Sequence, residues 1–245
     1  MTFSLVGHRG ALGLEPENTL RSFRRAVAEG AHGVELDLRL TSDEHLVILH
    51  DADVERTTDG NGPIASMTLA EVKALDAGQG EKIPTFAEVL DEIDLPIQAE
   101  IKAAEACHPV LDVIRTHGLS DQITVTSFSA EIIQETLSYL PGTRTGLISS
   151  HAKPELRETG RALGVAAVCP GLADLDVEFV TTCHAEGLAV FTWPVNDVDG
   201  VLHALRVGAD AVTTDFPDVL VDACRHVPHV RDLLAGRAPT SAITA

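Results

Sequence analysis

The chain has 245 residues, 44% of them hydrophobic, with 37 acidic residues against 18 basic ones and a formal net charge of −19. That length suits one large α/β domain or two small ones and buries a sizeable core. The negative charge sets aside nucleic acid and anionic membrane surfaces as bulk partners, but not a small anionic substrate, since screening over roughly 8 Å lets local cations outweigh distant surface charge.

The opening MTFSLVGHRG has neither the basic start nor the long apolar region of a secretory leader. No apolar run reaches the roughly 20 residues of a membrane span, so no stable membrane insertion is expected. A first strand at 3–7 delivers His8 and Arg9, with Gly7 and Gly10 giving the backbone room around them. A helix near 18–30 follows PENTL, where Asn18 is a natural N-cap and Glu17 either opens the helix or steadies Arg9. The second strand, 33–40 (GVELDLRL), is followed at once by a strand-like run, HLVILH. A two-residue turn at Asp43-Glu44 would set Asp37 opposite His50, although the turn lacks the favoured glycine.

Residues 52–83, with TTDGNGP and DAGQGEK around a short helix at 68–75, read as a small insertion. Strands at 97–101, 122–127, 143–148, 165–169, 188–193 and 210–214 then alternate with helices near 85–93, 104–117, 129–139, 153–163, 176–186, 197–207 and 216–225. Eight strands each leading to a helix predict a (β/α)8 TIM barrel, α/β in class, with a single catalytic domain over 1–225 and a Pro/Ala/Thr-rich tail over 226–245. A doubly wound open sheet is the alternative, and no G-x-G-x-x-G follows any strand to favour its dinucleotide-binding form. Cys107, Cys169, Cys183 and Cys224 show no C-x-x-C spacing and are read as free thiols, which with the missing leader predicts a cytoplasmic protein.

Alternate residues of a strand share a face, so Glu35, Asp37 and Arg39 point into the barrel while Val34, Leu36, Leu38 and Leu40 face the helices. Buried carboxylates need a partner. An ion pair with Arg39 is the plain explanation. Glu100, near the end of PIQAEIK with Lys102 two residues on, adds a third acid at the same end of the barrel. Three carboxylates make an all-oxygen site suited to one divalent cation, Mg²⁺ or Ca²⁺. Taken singly, His8 and His50 are better read as structural, and Glu100–Lys102 as a salt bridge. Converging on one face, the histidines fit general acid and base, Arg9 fits an anionic oxygen, and the set fits phosphodiester cleavage. The other histidines are read as surface or structural.

GHRG…PENT, VELDLRLTSDEHLVILHD, RTTDGNGP, ALDAG, IPTFAEVL, AEIK, TSF, TWPVN and TTDFP occur in the order seen in glycerophosphodiester phosphodiesterases, and the chain resembles that family from about residue 5 to 218. The resemblance implies metal ligation by Glu35, Asp37 and Glu100, acid/base work by His8 and His50, phosphate contact by Arg9 and added positive charge from Lys102. It implies a small-molecule glycerophosphodiester substrate cleaved to sn-glycerol 3-phosphate and an alcohol. Phe128 and Trp193 are weaker candidates for the pocket wall, and Asp215 is read as an N-cap. Two departures stand out: Asp43-Glu44 where relatives carry Asp-Gly, and Gln79-Gly80-Glu81 where many carry aromatic residues. A lysophospholipase D activity, a Schiff-base lyase using Lys102 and a binding-only barrel are the rivals; head group and oligomeric state are left open.

Overall fold

A computed structural model describes residues 3–219 together with 221 and 223. The elements run β1 (Ser4–Gly7), α1 (Leu20–Ala28), β2 (Gly33–Leu40), β3 (Leu46–Ile48), α2 (Leu69–Ala74), α3 (Phe86–Glu92), β4 (Ile97–Ile101), α4 (Cys107–His117) and β5 (Ile123–Ser127). They continue with α5 (Ala130–Tyr139), β6 (Arg144–Ser149), α6 (Pro154–Leu163), β7 (Ala167–Pro170), α7 (Val177–Ala185), β8 (Ala189–Thr192), α8 (Val198–Val207) and β9 (Ala211–Thr214). Most expected ends move by a residue or two. The start of 104–117 is instead a separate 3-10 turn over Ala104–Ala106. The helix expected at 216–225 lies partly, and the tail 226–245 wholly, outside the described residues, as do Cys224, His226 and His229.

The parallel strands follow one another round the sheet from β2 through β4 to β9 and β1, and β1 also pairs with β2. That last pairing (Val6 with Gly33, Gly7 with Val34) closes the ring into a (β/α)8 barrel and removes the open-sheet alternative. β3 is the extra strand, antiparallel to β2 and outside the ring. The alternation in β2 behaves as the sequence predicts: Val34, Leu36 and Leu38 are fully buried in the main core with Phe23, Val89 and Ile101.

The β2–β3 turn departs from expectation. Leu38 pairs with Ile48 and Leu40 with Leu46, and Leu49 N–H donates to the Asp37 carbonyl (3.0 Å), so Asp37 lies opposite Leu49 rather than His50. Thr41 and His45 close the hairpin around Ser42, Asp43 and Glu44. Glu44 takes the left-handed conformation (φ +63°) that a three-residue loop needs at its last position. The loop is thus one residue longer than expected, and the register shifts by one.

β3 also divides two packed regions. Ile48 belongs to the main core, whereas Val47 and Leu49 join Val54, Ile64, Val72, Ala77 and Ile83 in a second cluster formed by the insertion. Thr68 with Glu71 and Thr85 with Glu88 form capping boxes that start α2 and α3 on either side of it.

Candidate active site

Three carboxylates meet because of one register. Glu35 and Asp37 are two apart on β2, and the parallel β2–β4 pairing sets Asp37 beside Glu100. All three are buried, Asp37 to 1% exposure, and each offers an oxygen within 4.8 Å of the others. Burial, then the neighbouring charge of Asp37, pushes Glu35 up to about 8, against the pull of His8 and the Arg9 N–H. Glu100 is raised for the same two reasons, with Lys102 opposing. Asp37 Oδ1 is buried without a hydrogen-bond donor. A cluster of crowded oxygens, one of them unpartnered, fits a hard divalent cation; no nitrogen or sulfur ligand shares the set to favour zinc.

The β1–α1 loop brings His8 and Arg9 to this cluster by an unusual backbone route. Arg9 (φ +48°) and Asn18 (φ +56°) both sit in the left-handed region, at a cost of about 1–3 kcal/mol each. The conformation is fixed from several sides. Arg9 N–H donates to Glu35 Oε2 (2.9 Å), and the Arg9 carbonyl accepts from Asn18 N–H (3.0 Å) and Ser22 Oγ (2.8 Å). A Cβ on Gly7 would meet the Gly10 carbonyl oxygen at 2.2 Å, and one on Gly10 would meet Ser22 Oγ at 2.5 Å. The room that GHRG provides is therefore needed.

The Arg9 side chain bridges acids: Nη1 donates to Glu17 Oε1 (2.7 Å), and Nε lies 3.3 Å from Asp37. Lys102 Nζ donates to Glu100 Oε1 (2.8 Å), stands 3.6 Å from Asp37 and lies 5.7 Å from the Phe128 ring centroid. The ion pair expected with Arg39 is not formed: its guanidinium donates twice to the His50 carbonyl (2.9 and 2.7 Å).

Each histidine carries a carboxylate on Nδ1. His8 Nδ1 is 2.5 Å from Asp215 Oδ1, and Asn196 Nδ2 donates to Asp215 Oδ2 (2.7 Å). His50 Nδ1 is 2.6 Å from Asp51 Oδ1, and Arg56 Nε donates to Asp51 Oδ2 (2.5 Å). An ionised carboxylate only accepts, so both rings carry their proton on Nδ1 and leave Nε2 free. Burial lowers His8, but the Asp215 hydrogen bond and the Glu35 charge more than reverse it, and its net shift is upward. Burial also lowers His50, and there Asp37 and Asp51 do not overcome it. Asp51 is held well below the usual carboxylate range, first by its hydrogen bond from Arg56.

His8, Arg9, Glu35, His50 and Glu100 line one pocket together with Phe128 and Trp193. Phe128 is 48% exposed and meets Trp193 edge-on, centroids 5.6 Å apart; Trp193 is anchored by its Nε1–H on the Cys169 carbonyl (2.9 Å). Glu17 lies behind Arg9 rather than in the pocket wall. Two readings are corrected. Asp215 is the partner of His8, and Thr214 Oγ1 takes the Phe216 N–H instead (3.1 Å). Asn18 donates to Asp37 Oδ2 (2.8 Å), and Thr19 caps α1 in its place. Asp51, Arg56 and Asn196 were not singled out by residue-level reasoning. The neighbours Asp51 and Arg56 lie inside the quoted stretches LHD and RTTDGNGP, and Asn196 inside TWPVN.

A model of the glycerophosphoryl diester phosphodiesterase family matches residues 8–219. A glycerophosphodiester phosphodiesterase of Caldanaerobacter subterraneus subsp. tengcongensis is 31% identical over 236 residues, spanning 90% of this chain and 97% of its own. Among solved structures, an Oleispira antarctica phosphodiesterase in complex with the product sn-glycerol-3-phosphate superposes with a TM-score of 0.85 at 31% identity, covering 91% of this chain and 96% of that one. A glycerophosphodiester phosphodiesterase from Thermotoga maritima gives 0.79 at 28% identity, with 91% and 98% covered.

Proposed function

The chain belongs to the glycerophosphoryl diester phosphodiesterase family, a family of hydrolases, and from that premise we propose that it cleaves glycerophosphodiesters to sn-glycerol 3-phosphate and an alcohol, with His8 and His50 as its acid/base pair. The observation that carries this is the placement of two histidines, each with a carboxylate on Nδ1, around one buried carboxylate triad in a single pocket. Glu35, Asp37 and Glu100 would hold one divalent cation, Mg²⁺ or Ca²⁺. Such an ion supplies electrostatic stabilisation of charge on phosphoryl oxygens when bound.

In the route we favour, the substrate's own glycerol 2-hydroxyl attacks phosphorus. The adjacent hydroxyl is already held near its target, a large entropic advantage. The oxygen–phosphorus bond forms as the base takes the hydroxyl proton, and the bond to the departing alcohol breaks as the acid protonates its oxygen. Water then opens the cyclic phosphate with the two roles reversed. We assign the acid to His8 and the base to His50. Arg56 offsets the charge of Asp51 beside His50, whereas Asp215 beside His8 is held by the neutral Asn196 amide. Arg9 and Lys102 would face the phosphate's negative oxygens.

The exposed Phe128 edge beside Trp193 is the one observation that favours lysophospholipids as a second substrate class. The Lys102 ammonium is ion-paired with Glu100 rather than standing free for a carbonyl group, which argues against a Schiff-base lyase. Cys107, Cys169 and Cys183 are free and buried, and no described helix is long and apolar enough to cross a membrane; the free thiols support a reducing compartment such as the cytoplasm. The test is glycerol 3-phosphate release from a panel of glycerophosphodiesters and lysophospholipids, with and without EDTA. Release abolished by chelation and restored by Mg²⁺ or Ca²⁺ is expected. No release from any glycerophosphodiester would overturn the reading.

A further inference from the structure

Arg56 stands in the insertion, about half exposed, and joins Arg9, Lys102 and Arg39 among the cations of the site region. Its guanidinium holds both oxygens of Glu17, Nη1 on Oε2 at 2.7 Å and Nη2 on Oε1 at 2.9 Å, while Nε takes Asp51 Oδ2 at 2.5 Å. The planar fork therefore joins the β1–α1 loop to the residue that follows His50, a geometry that a point-charge lysine cannot reproduce.

The two branches of the fork differ in what depends on them. Glu17 leads to Arg9, which is already fixed by its backbone N–H on Glu35, by its carbonyl on Asn18 and Ser22, and by Nε near Asp37. None of these contacts involves Arg56. Asp51 leads to His50, and there nothing else duplicates the contact: among the described residues the His50 ring has one hydrogen bond, to Asp51, and the Asp51 carboxylate accepts from His50 and Arg56 alone. Both side chains are about one-third exposed, so packing does not lock them. Asp215, on the other histidine, has Asn196 and a more buried setting instead.

We infer that Arg56 is a positioning residue of the hydrolase, acting through Asp51 to hold the His50 ring in the Nδ1–H tautomer with Nε2 turned to the pocket. The inference rests on the reading of His50 as one of the acid/base pair, and its test separates the two. Losing the outer partner that orients a metal-ligating histidine costs ~10–100-fold in activity, and a loss of the same order is expected here.

The experiment uses the Mg²⁺-loaded full chain with ¹⁵N-labelled histidine, the His50 signals being identified by their loss in His50→Ala. In the parent the ring nitrogens report the Nδ1–H tautomer; in Arg56→Ala and Arg56→Gln they report a mixture, while the melting temperature stays within a few degrees. The rate constant kcat falls ~10–100-fold with little change in KM, and added methylguanidinium restores part of it to Arg56→Ala. In an Asp51→Ala background, Arg56→Ala costs no more than ~2-fold further. An unchanged His50 tautomer in both Arg56 variants overturns the inference, as does a full loss of rate that persists in the Asp51→Ala background. If His50→Ala keeps the parental rate, the acid/base reading fails, and the tautomer measurement still decides whether Arg56 positions the ring.

Discussion

Taking up a cation should cost the enzyme a proton, because the crowded, buried carboxylates hold one at neutral pH. Burial and the charge of Asp37 push Glu35 up to about 8 in the metal-free chain. At pH 7 about nine in ten Glu35 carboxyls then carry a proton, which a ligating oxygen must shed. The apparent affinity for Mg²⁺ or Ca²⁺ should therefore fall about tenfold at pH 7 and about a hundredfold at pH 6 relative to pH 9, since each pKa unit is worth about 1.4 kcal/mol. Glu100, raised for the same reasons, adds to the effect. Calorimetric titration in two buffers of different ionisation enthalpy should show about one proton released per ion at pH 7 and almost none at pH 9. Glu35→Gln should abolish most of that release along with tight binding. The stability of the metal-free fold carries the matching sign. A carboxyl raised in the folded state contributes stability that is full below the unfolded value of about 4.3 and is lost as pH rises through about 8. Metal should remove that decline. Heats independent of buffer, with an affinity flat from pH 6 to 8, would refute the argument that crowding and burial keep Glu35 protonated.

Glu100→Gln should keep the fold by circular dichroism yet lower metal affinity and phosphodiesterase rate together; a titration superimposable on the parent would exclude Glu100 as a ligand. Alanine at His8 or at His50 should each cost roughly 10²–10⁴ in rate, about 3–5 kcal/mol. A p-nitrophenolate needs almost no proton to leave, so His8→Ala should recover much of its activity on a p-nitrophenyl ester of glycerol phosphate, and His50→Ala should not. Equal rescue of both would remove the division of labour. Glu44→Gly should stabilise the protein by about 0.5–1 kcal/mol in urea denaturation, because a left-handed non-glycine residue costs about 1–2 kcal/mol and glycine returns part of that as chain entropy.

How much of this was legible depends on the distance between partners. The alternation in GVELDLRL places Glu35 and Asp37 on one face with no knowledge of any other strand, because side-chain direction in a strand is local. The strand count and the glycines of GHRG are local as well. What makes the triad is the β2–β4 register, and no residue pattern states that Asp37 lies beside Glu100 rather than beside Gln98. Asp215 is 207 positions from His8, so local propensity offered only a capping role. Asn18 is the converse case. It has the chemistry of a cap, but its side chain is used on Asp37, and the next threonine caps the helix. The hairpin register differs by one residue from the two-residue reading because it is set by the backbone pair Thr41–His45 and a left-handed Glu44, neither of which the residue types around the turn state.

β3 has consequences for grafting. Its last residue, Ile48, faces the barrel core while Val47 before it and Leu49 after it face the cluster beneath the insertion, and the very next residue is His50. The excursion from 52 to 83 is thus no detachable cassette. A donor segment spliced in from a relative would inherit the two apolar contacts of β3 as its anchoring surface, and any mismatch there would be felt one peptide away from the imidazole. Substitutions along the far loop, at Gln79-Gly80-Glu81, are free of that constraint. Variation among such enzymes should accordingly concentrate at the outer rim of the insertion, with its base kept compatible with Val47 and Leu49, and chimeras should be cut to include β3 rather than to begin after it.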